Sequence, residues 1–220
     1  MILANLEIRL AAGSDDFAFM RRCFDLAREA AGRKELAFGS VIVRGGMAIA
    51  AEGNGVRAAG DITRHAEVCA IVAAQKKLGR ASLDGCTLYS NVEPCAFCSY
   101  AIRETRIARV VFALGSPVMG GASRWDVLQD TGLGDAMPEV FGPPPEIVGG
   151  LLADEAEDLL KQAAPMTWAA TKSRGLFTVD DAHRLSRPAP RPEGVIAHFK
   201  ALAMERLRRG FFDRFSRGPA

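Results

Sequence analysis

Apolar residues recur along this chain with a helical period in some stretches and a strand period in others, and the switches between them predict its elements. Phe17, Met20, Phe24, Ala27 and Ala31 form one stripe at helical spacing; Ser14-Asp15-Asp16 precedes it as a capping sequence and Gly32 supplies the stop. Residues 37–44 and 47–52 read as strands around Gly45-Gly46, a hairpin signal. A helix is predicted over 64–78, capped by Thr63 and ended by Gly79. Strand 86–91, a helix over 95–104 and strand 109–114 follow. Beyond a loop at 115–121 the pattern gives a short helix at 124–129, a short strand at Ile147-Val148, and a helix over 154–162 with acidic residues near its start. Hairpin, helix, strand, helix, strand, helix is an α/β arrangement, a mixed sheet covered by helices.

The pattern changes at Pro165. Three prolines within 187–192 read as a linker, and Val195, Ile196, Phe199, Leu202, Ala203 and Leu207 then fall at helical spacing. The division expected is therefore a domain over 1–164 and an extension over 165–220 containing an amphipathic helix. Charge follows the same division. Residues 165–220 hold 11 Lys/Arg against 5 Asp/Glu, a net +6, whereas the first 164 hold 17 against 21, a net −4. An acidic domain argues modestly against nucleic acid, whose phosphates draw basic faces. Arg206, Arg208, Arg209, Arg214 and Arg217, with Phe211, Phe212 and Phe215 among them, could contact RNA; apolar docking on the domain or on a second subunit is the plainer reading. No run of 18 apolar residues or signal-peptide pattern is present, and five cysteines make no disulfide framework, so a reducing cytoplasm is the expected compartment.

The chemistry concentrates in His65-Ala66-Glu67 and Pro94-Cys95-Ala96-Phe97-Cys98. Each segment lies where a helix follows a strand or loop. Zinc favours tetrahedral N and S ligands, and catalytic sites usually take three from the protein, leaving one position for water. His65, Cys95 and Cys98 supply three. Cys23, Cys69 and Cys86 form no second C-x-x-C pair, so a closed zinc ribbon fits poorly. A helix opening at Cys95 aims both sulfurs at one ion, and its N-terminus favours thiolates. Glu67, two residues from His65, reads as a proton carrier that moves protons on and off that water. A bare C-x-x-C would fit a redox pair equally well; the upstream His-x-Glu makes the metal reading specific.

On these residues the chain resembles the cytidine-deaminase-like superfamily of zinc deaminases, in the branch that holds bacterial tRNA adenosine deaminases and guanine deaminases. The likeness runs over roughly residues 15–162, through Gly39-Ser40-Val41-Ile42-Val43, Asn54, Asp61-Ile62-Thr63-Arg64-His65-Ala66-Glu67, Thr87-Leu88-Tyr89, Glu93-Pro94-Cys95, Ala101-Ile102, Arg109-Val110-Val111-Phe112 and Ala153-Asp154-Glu155. It implies a three-layer α/β/α fold on a five-stranded mixed sheet, one zinc ion per subunit, and a homodimer. It also implies that Asn54 hydrogen-bonds the substrate base; turn chemistry between Gly53 and Gly55 is the alternative.

The two groups of relatives pull apart. Gly120-Gly121-Ala122-Ser123, Asp126-Val127-Leu128 and Leu151-Leu152-Ala153-Asp154-Glu155 look like the tRNA enzymes. Ala37-Phe38-Gly39-Ser40 stands where those enzymes read Pro-Val-Gly-Ala; Phe38 looks like the bulky residue of guanine deaminases. Arg64, Asn91-Val92 and residues 116–119 also depart from the tRNA pattern. Phe38 narrows the pocket or joins the core, and Arg64 meets substrate or faces solvent; Trp125 and Phe112 read as packing residues. The expectation is hydrolytic deamination of a small amino-heterocycle, a free nucleobase or nucleoside, at a ring C–NH2. Adenosine-to-inosine editing of a tRNA anticodon is the alternative. A purely structural zinc module has no use for Glu67.

Overall fold

The structure is a computed structural model and describes residues 14–179. Helix α1 (Ser14–Gly32) leads into strands β1 (Gly39–Arg44) and β2 (Met47–Gly53), a short helix α2 (Val56–Ala59), helix α3 (Ala66–Leu78), strand β3 (Cys86–Val92), helix α4 (Ala96–Glu104) and strand β4 (Arg109–Leu114). A long connection then carries a short helix α5 (Thr131–Ala136) to strand β5 (Glu146–Gly149), and helices α6 (Ala153–Ala163) and α7 (Pro165–Ser173) follow. The five strands form one mixed sheet, as expected, and their order is β2-β1-β3-β4-β5. Strand β1 is antiparallel to both β2 and β3, and β4 is parallel to β3 and β5. Gly45 and Gly46 both take positive φ, 56° and 75°, as the tight hairpin turn between twisted strands requires.

Central strands buried on both sides need cover on two faces, and two clusters provide it. On one, Met20, Phe24 and Ala27 of α1 pack with Val41, Tyr89 and Val111 of the sheet and Ala156 and Leu160 of α6. On the other, Ala70, Ile71 and Ala74 of α3 and Ile102 of α4 pack on Ile42, Leu88, Val110 and Phe112. Burying each of these large side chains stabilises the fold by roughly 1.5–3 kcal/mol. One polar group crosses the first face: Asp16 accepts from the Tyr89 hydroxyl at 2.5 Å and pairs through both oxygens with Arg109 at 2.9 Å. It ties the start of α1 to β3 and β4.

Four expectations need correction. Residues 124–129 form turns, not a helix. Asp126 sits at φ 58°, and the carbonyls of Val127 and Leu128 accept from Arg103 at 2.9 and 3.3 Å instead of from a following turn. Trp125 is exposed, with the Arg124 guanidinium 5.1 Å from its ring centre, whereas Phe112 is core as expected. Thr63 caps no helix: its N–H and hydroxyl both donate to Asp61, and His65 occupies the N-cap of α3. Nor does packing break at Pro165. Trp168 and Phe177 join the α1 cluster, and Thr178 exchanges two backbone hydrogen bonds with Gly115, each 3.0 Å. The proline-rich stretch and the 195–207 helix lie outside the described residues.

Arg103 organises the long connection. It is 1% exposed and donates to the carbonyls of Val127, Leu128, Asp130 and Gly142. Arg103→Met removes the donors and strands those carbonyls. A loss of about 3 kcal/mol in urea unfolding is expected; a change below about 1 kcal/mol would show that the connection holds itself.

Candidate metal and catalytic site

His65 and Cys95 are both N-cap residues. Each takes an extended conformation, φ −63° and ψ 146° for His65 and φ −66° and ψ 168° for Cys95, just before its helix begins. The positive ends of α3 and α4 therefore meet at one place, with Glu67 in the first turn of α3 and Cys98 in the first turn of α4. His65 Nδ1 lies 3.7 Å from Cys95 Sγ and 3.4 Å from Cys98 Sγ, and the two sulfurs are 3.7 Å apart. Zinc bonds of ~2.3 Å to sulfur and ~2.0–2.1 Å to nitrogen place tetrahedral donors roughly 3.5–3.8 Å apart. The three donors thus fit one zinc ion and leave its fourth position to water. They are the one such group of His, Cys and carboxylate donors among the described residues.

Electrostatics suit a cation. A hydrogen bond from Cys98, with His65 adding to it, lowers the Cys95 thiol to about 4. The bond with Cys95 and burial raise Cys98, and a bound cation reverses that by favouring the thiolate. The bond to Cys95 raises the His65 pKa. Glu67 is buried, and its burial, with the Cys95 thiolate adding, lifts it above the ordinary carboxylate value. Its Oε1 accepts from the Ser90 hydroxyl at 3.2 Å, and its Oε2 lies 3.5 Å from Cys98 Sγ. Glu67 thus touches one of the three donors and stands outside the donor group itself.

Two buried carboxylates that the sequence did not single out brace this centre. Glu93 accepts from the Ser116 N–H at 2.7 Å, the Ala122 N–H at 3.0 Å, the Ser123 N–H at 2.7 Å and the Ser123 hydroxyl at 2.7 Å. The loop so gathered holds the zinc ligands: the Ala96 N–H donates to the Met119 carbonyl, the Gly121 N–H donates to the Pro94 carbonyl, and Gly120 bridges Cys95. A Cβ on Gly120 would stand 2.2 Å from the Glu93 carboxylate, and one on Gly121 would stand 1.9 Å from Ser99 Oγ. The second is Glu35, which accepts from Asn54 Nδ2 at 3.0 Å and from the N–H groups of Arg57 and Ala58 at 3.1 and 2.7 Å. Burial acts to raise its pKa, but those N–H bonds outweigh it and hold Glu35 below the usual value.

The expected substrate contacts divide. Asn54, 1% exposed, ends at the turn beyond β2, where the Gly55 N–H donates to the carbonyl of Arg64, the residue before His65. Its side chain makes no Asx turn, and its Oδ1 accepts no hydrogen bond among the described residues. Arg64 is exposed. Phe38 is half-buried against Phe177, ring centres 5.8 Å apart, on the α1 face of the sheet. Asn91, an apparent departure in the motif, clamps that segment: it accepts from the Gly39 N–H at 2.9 Å and donates to the Ala37 carbonyl at 3.0 Å. Phe97 stands edge-on to His65 at 5.7 Å and is 49% exposed.

Comparison with known proteins places this geometry. Residues 14–114 match the family model of the cytidine and deoxycytidylate deaminase zinc-binding region. A tRNA-specific adenosine deaminase of Agrobacterium fabrum is 34% identical over 144 residues, 66% of this chain and 90% of that protein. A guanine deaminase of Bacillus subtilis is 47% identical over 76 residues, 34% of this chain and 49% of that one. A solved structure from work on A-to-I editing by tRNA:A34 deaminases at the wobble position superposes with a TM-score of 0.57 at 32% identity, covering 65% of this chain and 99% of that one. The chain spans only about a quarter (26%) of a Deinococcus deserti tRNA(Ile)-lysidine synthase that it matches at 37% identity.

Proposed function

This chain belongs to the cytidine-deaminase-like family of zinc-dependent deaminases, and from that premise we propose that it removes the amino group of adenosine in a tRNA anticodon, leaving inosine. The observation that carries the reading is the rim of the site. Exposed Arg64 precedes His65, exposed Phe97 stands against the His65 ring, and Trp125, exposed beneath Arg124, donates through its backbone N–H to the carbonyl of Gly120, the residue that bridges Cys95; cationic and stacking groups so placed suit a nucleotide turned out of an RNA loop. The likeness to tRNA-specific adenosine deaminases over nine-tenths of their length supports it further; the sequence match to the Bacillus subtilis guanine deaminase covers half of that protein. The acidic balance of the first 164 residues leaves room for such a local rim.

His65, Cys95 and Cys98 would hold the zinc. The ion, when bound, supplies Lewis acidity that brings the pKa of a water in its open position to about 7. Glu67 would take a proton from the attacking water and deliver it to ring N1 as the C6–O bond forms, then take the second proton, from the new hydroxyl, and hand it to the amino group as the C6–N bond breaks, which releases ammonia and leaves C6=O; its raised pKa poises it for both directions. Ser90 holds the Glu67 carboxylate by donating to Oε1. Asn54 offers Oδ1 to the heterocycle. Two copies would act as a homodimer, which sedimentation tests directly.

A second reading, deamination of a free nucleobase or nucleoside, draws on the higher identity with guanine deaminase and on the bulky Phe38–Phe177 pair. Ammonia release from zinc-loaded protein separates the two. The substrates are guanine, adenine, cytosine, their nucleosides and an anticodon stem-loop. The expected result is release from the stem-loop alone, falling roughly tenfold or more between 50 and 200 mM salt as phosphate contacts are screened. Release from a free base, with the stem-loop untouched, overturns it in favour of the second reading.

A further inference from the structure

Asn54 is held by a charge. Glu35 lies in the connection between α1 and β1, outside any regular element, and is 5% exposed. Its two oxygens accept from three N–H donors, Asn54 Nδ2, Arg57 N and Ala58 N, and among the described residues they make no ion pair with a cation's side-chain nitrogen. An ionised carboxylate is an acceptor only. It therefore fixes the Asn54 carboxamide in one of its two flips, with the amino group turned inward. The Asn54 backbone is fixed as well, since its N–H donates to the Phe38 carbonyl at 2.9 Å. Asn91 fixes the stretch between, holding Ala37 and Gly39 on either side of Phe38. What stays uncommitted among the described residues is Oδ1; the residue after it in the chain, Gly55, donates through its N–H to the carbonyl of Arg64, which precedes His65.

We propose that Glu35 is a positioning residue of the reaction: its buried carboxylate locks the Asn54 carboxamide so that Oδ1 faces the substrate as an acceptor, and the site thereby selects heterocycles that present an N–H donor there. This rests on the deaminase reading given above. An asparagine free to flip would present acceptor and donor by turns and would discriminate little. A locked one rejects a ring that offers only an acceptor at that point, because two acceptors then face each other without a proton between them. The same carboxylate also ties the turn of residues 54–58 to the start of β1, so its charge serves geometry and selection together.

The test is a double-mutant cycle with Glu35→Gln, Asn54→Ala and the pair, on whichever substrate the wild-type enzyme deaminates. Gln keeps the size of the side chain but offers its own amide, which can turn Asn54 around. If Glu35 acts through Asn54, each single change lowers kcat/KM at least tenfold and the pair is no worse than Asn54→Ala alone. Effects that multiply, or an unchanged Glu35→Gln, overturn the proposal. A readout free of catalysis accompanies it. The side-chain 15N–1H2 signals that vanish in Asn54→Ala must move in Glu35→Gln while the rest of the spectrum stays native. If they stay where they are in wild type, the lock does not exist, whatever the enzyme deaminates. Failure of every substrate, with those signals moving as expected, refutes the deaminase reading and leaves the lock standing.

Discussion

Glu67→Gln is expected to keep the fold and one zinc ion per chain and to lower turnover at least ~10³-fold, about 4 kcal/mol of transition-state stabilisation. Gln preserves the shape and can still accept from Ser90, so packing is not what the substitution removes. It removes the group that takes a proton and gives it back. Burial already holds Glu67 above the ordinary carboxylate value, which brings its proton affinity closer to that of the groups it serves. Metal content by plasma emission and ammonia release read the two halves separately. A variant that keeps a tenth of wild-type turnover would remove Glu67 from the proton path. One that loses its zinc would instead make Glu67 a ligand, against the arrangement in which His65, Cys95 and Cys98 form the donor group among the described residues. Ser90→Ala, which only loosens Glu67, should cost far less.

The metal donors and Glu67 were legible because few residue types do this chemistry and they must recur at fixed spacing. The sheet was legible for a similar reason: a Gly-Gly turn between two short runs of strand-forming residues leaves little choice of hairpin. The residues that hold the site were not. Glu35 and Glu93 are buried carboxylates satisfied by backbone N–H groups from segments far along the chain, and no local period announces that. Asn91 looked like a substitution within a motif, yet it binds the chain at Ala37 and Gly39 across 50 and more residues of sequence. The error at 124–129 has the same root. Apolar spacing at Trp125 and Leu128 suggested a helix, but Arg103 supplies the donors those carbonyls need, so the chain need not coil to find them. The mark of that solution in the sequence is Arg103 itself, a residue type that ordinarily keeps to solvent and is here buried.

Glu93→Gln should damage stability and metal affinity together. Four donors converge on two oxygens; replacing one oxygen by an amino group sets donors against donors and strands at least one buried N–H of the 116–123 loop. Such a loss costs about 3–5 kcal/mol, or roughly 10 °C in the melting temperature of a chain this size. Because that loop holds Pro94, Cys95 and Ala96 through Gly121, Gly120 and Met119, zinc affinity is expected to fall ~10–100-fold as well, as it does when the groups that orient metal ligands are removed. Gly120→Ala reaches the same place from the other side. Its Cβ would stand 2.2 Å from the Glu93 carboxylate, so the carboxylate must leave its donors or the loop must leave Cys95. Both variants should therefore show a melting temperature that added zinc restores only in part, since excess metal offsets weakened binding by mass action but not the unpaired N–H groups. Full recovery of the melting temperature by zinc would mean that Glu93 acts on the ligands alone. A melting temperature unchanged in both variants would show that the loop is held by contacts other than this carboxylate.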